Sequence, residues 1–344
     1  LGCTVVALKL IIRILFCGVW LCAGFQSQSA RSVSTGVNVR TEHRTQTLAV
    51  NPQQSTSSIE AQSLRYVSKF VTVDGTRLHY LVQGTSRPVV FIHGNPGSAQ
   101  DWLAEFMPLA SRHKVIAFDR PGHGRSERPK HGEATVEVQA QLLHDALAQL
   151  RVDRPILVGH SWGATLALVY AINYPNDIAG VVVVAPAVYE SHEGSFLTGL
   201  PTVPVIGDAA NYVLTPLIGP SVVRGELKKA FSPDPVPKNY LKSVLSEWTK
   251  PSKARAYALD EDVYNPSVKK FSPRYAEIVV PVSIVTGDSD LIVSEKDNAG
   301  HLHEVLPKSR LVVLPKTGHQ IPFTHPQSVI DEIERVQRLS RARG

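Results

Sequence analysis

Cysteine is nearly missing from this chain. Its three cysteines, Cys3, Cys17 and Cys22, all fall in the first apolar stretch. Beyond residue 22, no disulfide framework and no cysteine-ligated metal site can form. No two histidines have the spacing by which a helix holds zinc for hydrolysis, so no metal is expected. Neither sign of charge dominates: Lys plus Arg number 36 and Asp plus Glu 30, a formal charge of +6. The basic residues are scattered, with small clusters in 224–255 and in the final "RVQRLSRARG". No zinc-finger or RNA-binding signature accompanies them. They read as solvated surface, and no nucleic-acid partner is expected. Internal repeats are also lacking. What remains is an ordinary globular balance, 43% hydrophobic and 19% charged. In 344 residues that suffices for one large α/β domain or two small ones with a sizeable core.

The N-terminus is unlike the rest. Lys9 and Arg13 precede the apolar "ILFCGVWLCAGF", and polar "QSQSARS" follows. A basic start, a short apolar core and a small-residue exit read as a secretory signal over 1–25. The same segment reads alternatively as an uncleaved membrane anchor, with Lys9 and Arg13 interrupting it at a cost. The expected location is periplasmic, secreted or membrane-anchored; a start placed too far upstream would make it cytoplasmic. Residues 26–60 are rich in Ser, Thr and Gln with no apolar period, and read as a linker.

From about residue 64 the pattern changes. "YVSKFVTVDGTRLHYLVQG" alternates around Asp74-Gly75, the signature of a β-hairpin. "PVVFIHG" (88–94), "KVIAFDRPGHGRS" (114–126), "RPILVGHS", "GVVVVAPA" (180–187), "VSIVTGDSD" (282–290) and "RLVVLPKTGH" (310–319) each begin as a short apolar strand and end in polar or glycine residues. Helical spacing separates them, as in "TVEVQAQLLHDALAQL", "WGATLALVYAINYP" and the last "PQSVIDEIERVQRLSRA". Strands alternating with helices predict a mostly parallel sheet covered on both faces. Residues 187–276 break the rhythm. They hold separate helical pieces, "GDAANYVLTPLI", "VVRGELKKAF" and "NYLKSVLSEW", with prolines between. That division gives a core of 61–186 and 277–344 and a helical cap of 187–276 over the carboxyl edge of the sheet, where such folds bind ligands.

The chemistry centres on Gly159-His160-Ser161-Trp162-Gly163, between a strand and a helix. A strand feeding directly into a helix turns sharply, exposing Ser161 beside the unpaired N–H groups of the helix start. A serine hydroxyl needs a base. His319 follows one strand and Asp290 another, both at the edge that carries Ser161. His319 is expected to take the Ser161 proton and Asp290 to hold the other ring nitrogen. Asp288 is the competing carboxylate, better suited to capping its loop. His93, His123 and His160 sit inside turn motifs and read as loop braces; His301, His303 and His325 read as surface or capping residues. The N–H groups of Trp162 and of Asn95, in "HGNPGS", are expected to hold the oxyanion.

"HGNPGS", "DRPGHGRS", "GHSWG", "GDSD" and "GHQIPFTHP" together resemble the α/β-hydrolase superfamily over roughly residues 64–340. The resemblance implies an eight-stranded, mostly parallel sheet, a helical cap and no cofactor. "HGNP" with a tryptophan after the nucleophile is similar to the haloalkane dehalogenase and epoxide hydrolase branch. In the dehalogenases the residues matching Asn95 and Trp162 grip the departing halide through their side chains. Those enzymes use aspartate where this chain has Ser161, and an alkyl–serine ether would not turn over. Dehalogenation and epoxide opening are therefore not expected. The expected function is hydrolysis of a small to medium, fairly apolar ester, thioester or lactone. The alternatives are a carbon–carbon bond hydrolase of vinylogous diketones and a small-molecule receptor with little activity. Tyr189, Phe196, Tyr212, Leu217, Tyr240, Trp248, Tyr257 and Tyr264 either line an acyl pocket or form the cap's own small core. Arg224, Lys228 and Lys229 read first as a wet helix face.

Overall fold

A computed structural model describes residues 66–130, 134–190 and 206–342. The expected export segment and linker, and Phe196, lie outside these residues. Among the described residues no helix is long and apolar enough to cross a membrane.

Eight strands form one sheet: β1 (Val67–Val73), β2 (Thr76–Gln83), β3 (Pro88–Ile92), β4 (Lys114–Phe118), β5 (Ile156–His160), β6 (Gly180–Val184), β7 (Val282–Gly287) and β8 (Arg310–Leu314), in the order β1-β2-β4-β3-β5-β6-β7-β8. β1 and β2 pair antiparallel through the turn at Asp74 and Gly75, whose φ values of 46° and 73° are those of the hairpin turn that Asp-Gly favours. β2 also runs antiparallel to β4, and every other pairing is parallel. The sequence explains which strands are central. β5, β6 and β7 are buried along their whole length, as continuous apolar runs require, whereas β8 at the edge is only half-buried.

Helices α1 (Leu103–Leu109), α2 (Val136–Gln149) and α3 (Trp162–Asn173) connect the first strands, and the chain ends in α7 (Pro326–Arg341). α1 and α7 pack one face of the sheet around Trp102, Phe106 and Ile333. α2 and α3 pack the other around Leu143, Leu166 and Tyr170. α3 is apolar all round and buried on all sides, so it is a core helix and not an amphipathic one.

Between β6 and β7 come α4 (Ile206–Phe231), α5 (Lys238–Trp248) and α6 (Pro251–Phe271). The two helical pieces expected within 206–231 are one helix, running through Pro216 and Pro220. A proline removes one N–H and crowds the preceding turn but does not always end a helix when packing supports it. α6 escaped the sequence reading altogether. Its C-terminal half joins the main core through Val263, Tyr264, Val268 and Phe271. α4 and α5 share a separate small cluster of Leu227, Phe231 and Val244, flanked by Tyr240, Trp248 and Phe323.

Candidate active site

Ser161 sits between β5 and α3 with φ 52° and ψ −120°, a left-handed conformation that an L-residue adopts only under strain. Its N–H donates to Val184 O at 2.9 Å and its carbonyl accepts from Ala164 N at 2.9 Å, so backbone bonds on both sides hold the turn. The two glycines are required by close approach. A Cβ on Gly159 would meet Gly163 O at 2.3 Å, and one on Gly163 would meet Ile92 O and His93 O at 2.5 Å. Gly163→Ala is expected to lower stability by about 1–3 kcal/mol, the usual cost of overpacking, in denaturant unfolding; an unchanged midpoint would contradict the packing described.

His319 follows β8, and Asp290 follows β7. Asp290 Oδ2 accepts His319 Nδ1–H at 2.7 Å, and both side chains are almost fully buried, at 1% and 6% exposure. Asp290 Oδ1 accepts the N–H groups of Ile292 and Val293 at 2.8 and 2.9 Å. Burial, the largest influence, pushes the Asp290 carboxyl up. The His319 charge and hydrogen bond and the two backbone donors outweigh it and hold the group below its ordinary range. Asp288 stays in its own loop, accepting from Ser289 Oγ at 2.8 Å. A depressed folded-state pKa contributes stability that is present above the unfolded value, near 4, and is lost as pH falls through the folded one. Asp290→Asn should therefore flatten the acid side of the stability–pH curve, measured as unfolding midpoint between about pH 5 and 2.

His160 joins the His319 loop to the turn. Its Nε2–H donates to His319 O at 3.0 Å, and the two rings lie 4.9 Å apart. Burial first, then the neighbouring His319, lowers its pKa to about 3, so this ring stays neutral and braces the loop. His93 likewise braces the loop after β3. Its Nδ1–H donates to Gly94 O at 2.8 Å and its Nε2 accepts Arg120 N–H at 2.9 Å.

Trp162 follows Ser161 in the turn and Asn95 follows Gly94, whose backbone lies against the Ser161 side chain, and among the described residues neither the Asn95 nor the Trp162 backbone N–H finds an acceptor. Their side chains are spent elsewhere. Asn95 Nδ2 donates to Glu261 Oε1 at 2.7 Å and to Tyr257 O at 3.2 Å, and Trp162 Nε1 donates to Asp260 O at 3.4 Å. One turn of α6 thus accepts both side-chain N–H groups that a halide would need.

Beneath that turn lies a charge cluster the sequence reading missed. Asp260 is fully buried, with Oδ2 on Arg120 Nη1 at 2.6 Å and His123 Nε2 at 3.0 Å, and Oδ1 on Arg128 Nη1 at 2.9 Å. Burial raises its pKa, but Arg120, His123 and Arg128 override that and hold it far below the carboxylate range. His123 is lowered to about 4, by burial and then by Arg120, so it donates as a neutral ring. Arg120 also grips the loop after β3, through His93 O at 3.1 Å and Gly94 O at 2.9 Å, and lies 3.9 Å over the Trp162 ring.

These residues open onto a cleft of about 2120 Å³ lined by Asn95, Ser161, Trp162, Glu261, Asp290 and His319. Tyr189, Tyr240, Trp248, Tyr257 and Tyr264 also line it, while Tyr212 and Leu217 face solvent. Lys229 pairs with Glu226 at 3.0 Å, and Arg224 donates to Pro220 O on its own helix.

Comparison with known proteins agrees with this architecture. An uncharacterized protein of Mycobacterium tuberculosis, Rv2715, is 27% identical over 277 residues, 78% of this chain and 80% of that one. Among solved structures, a membrane phospholipase A described as a bacterial virulence factor superposes with a TM-score of 0.65 at 21% identity, covering 84% of this chain and 91% of that one. Est816, an N-acyl homoserine lactone degrading enzyme, superposes with a TM-score of 0.61 at 22% identity, covering 78% and 99%. The family model for the alpha/beta hydrolase fold matches residues 87–326. With that match running from β3 through the Ser161 turn, the inserted helices and His319, this chain belongs to the α/β-hydrolase fold family.

Proposed function

We propose that this protein is a serine hydrolase acting on a small to medium, fairly apolar ester, thioester or lactone. The observation that carries the reading is the 2.7 Å bond aligning His319 on Asp290, in the same cleft wall as a strained, cleft-facing Ser161. His319 Nε2 takes the Ser161 proton as Oγ attacks the carbonyl carbon. The N–H groups of Asn95 and Trp162 receive the oxyanion. Collapse expels the alcohol, which takes the proton from His319, and leaves an acyl–serine. Water, deprotonated by His319, then attacks the acyl carbon, and collapse breaks the acyl–Oγ bond as His319 returns the proton to Ser161, releasing the acid. Asp290 orients the ring and stabilises its charged form.

In this reading 61–186 and 277–344 are the catalytic core and 187–276 a substrate-selecting cap. The basic-then-apolar start of the chain supports export or membrane attachment. The substrate is a small molecule; nothing in the chain points to nucleic acid. Asn95 and Trp162 side chains turned onto α6 support an oxyanion role through backbone N–H over a halide grip. A fluorophosphonate probe combined with a series of p-nitrophenyl acyl esters tests the proposal. Labelling that disappears in Ser161→Ala, together with ester turnover, is the expected result. A folded protein that never labels favours a receptor, and labelling without ester turnover favours carbon–carbon hydrolysis, assayed on a vinylogous diketone.

A further inference from the structure

Glu261 is a carboxylate of the cleft wall that the reaction above does not use. It follows Asp260 on α6 and is partly exposed to the cleft. Asn95 Nδ2 fixes its Oε1 at 2.7 Å, and among the described residues its other oxygen has no partner. The nearby cations are committed elsewhere. Arg120 and Arg128 bind Asp260 at 2.6 and 2.9 Å, and Lys253 donates to Gly122 O and Gly124 O at 3.1 and 2.6 Å. Burial pushes the Glu261 carboxyl above its ordinary range, and the Asn95 bond only partly offsets this. Such a group gains most from an added positive partner. Tyr257, one helical turn earlier, lines the same cleft and brings an aromatic ring, a group that attracts cations, beside the carboxylate's helix.

We propose that Glu261, aligned by Asn95 and flanked by Tyr257, forms a subsite for a positively charged amine, so that preferred substrates carry an ammonium group. This rests on the serine-hydrolase reading and narrows its substrate class. The ammonium donates N–H to the free Glu261 oxygen, and its charge favours the ionised carboxylate. Because α6 also holds the oxyanion loop, a substrate so anchored is held by the same helical turn that positions the reacting centre.

The test pairs 4-nitrobenzyl esters of ω-aminoalkanoic acids, from glycine to 6-aminohexanoic acid, with the alkanoates of equal length. A second set carries the amine on the alcohol side. In the wild type, at least one amine-bearing ester should exceed its neutral counterpart in kcat/KM by about 10-fold or more. Glu261→Gln, which keeps an oxygen for the Asn95 bond, should bring that ratio down to within about threefold of unity. A wild-type ratio at or below one for every pair, or a ratio unchanged in Glu261→Gln, overturns the subsite while ester turnover leaves the hydrolase reading intact. If no ester is turned over, the subsite is read from binding alone. Calorimetry on Ser161→Ala should then give tighter binding of hexylamine than of hexanol, weakened by adding Glu261→Gln. Equal or reversed affinities overturn it.

Discussion

Asp260→Ala is expected to cost about 3–5 kcal/mol of stability, the usual penalty for stripping one partner from a buried ion pair. It should also cost most of the hydrolytic rate. Asp260 is fully buried and neutralises Arg120, itself 1% exposed, together with the mostly buried Arg128. Without it, the Arg120 guanidinium stays in the interior with only carbonyl acceptors. The same guanidinium holds His93 O, Gly94 O and the Trp162 ring, so its relaxation should displace the backbone at Asn95 and Trp162, the two donors proposed for the oxyanion. Misplacing one oxyanion donor typically costs on the order of 10²–10³ in kcat. Denaturant unfolding and steady-state kinetics read the two effects separately. The triple variant Asp260→Leu/Arg120→Met/Arg128→Met removes all three charges of the cluster and should recover much of the stability, because apolar replacement of a buried ion pair or triad is often neutral or better. It should not recover the rate, since nothing then grips the loop. An Asp260→Ala protein with wild-type unfolding and wild-type kcat would refute this account.

Ser161→Ala and Ser161→Gly should both lower kcat by on the order of 10⁴–10⁶, since each removes the proposed nucleophile. They should differ in stability. Alanine keeps a Cβ at φ 52° and ψ −120° and inherits the strain of serine. Glycine adopts that conformation freely and releases about 1–3 kcal/mol of strain, against about 0.5–1 kcal/mol of extra chain entropy. Ser161→Gly is thus expected to be the most stable of the three proteins in thermal unfolding, by about 1 kcal/mol. Turnover retained in both variants would remove Ser161 as the nucleophile. A glycine variant less stable than the alanine one would remove the strain argument.

The Ser161 turn was readable in the sequence because its cause is local. An apolar strand, two glycines and a helix start occupy consecutive positions, and "GDSD" and "KTGH" mark strand ends in the same way. Which carboxylate meets His319 was decided by place past the strand end, and Asp290 does meet it while Asp288 does not. Asp260 and Glu261 were not readable. "LDEDVY" resembles a solvated helix face, and only the fold separates its acids: Asp260 is buried, Glu261 part-exposed and Asp262 exposed. The partners of Asp260 lie about 120–140 residues away, so no helical spacing announces them. α6 itself was hidden for a related reason. Its C-terminal half packs on the main core, while the rest of the inserted helices hold a cluster of their own, so the apolar pattern of 187–276 has no single period. The reading of 206–231 as two helices gave Pro216 and Pro220 more weight than packing allowed.

The bond from Trp162 to Asp260 and those from Asn95 to the turn at Tyr257 and Glu261 bear on how such enzymes diversify. An insertion that merely roofed the sheet would be a free module, open to exchange between relatives as a cassette. Here the roof supplies acceptors and a counter-charge to the floor. Loop and insertion must therefore change in step, and a chimera that grafts a foreign insertion onto this core would have to bring its own match for Arg120.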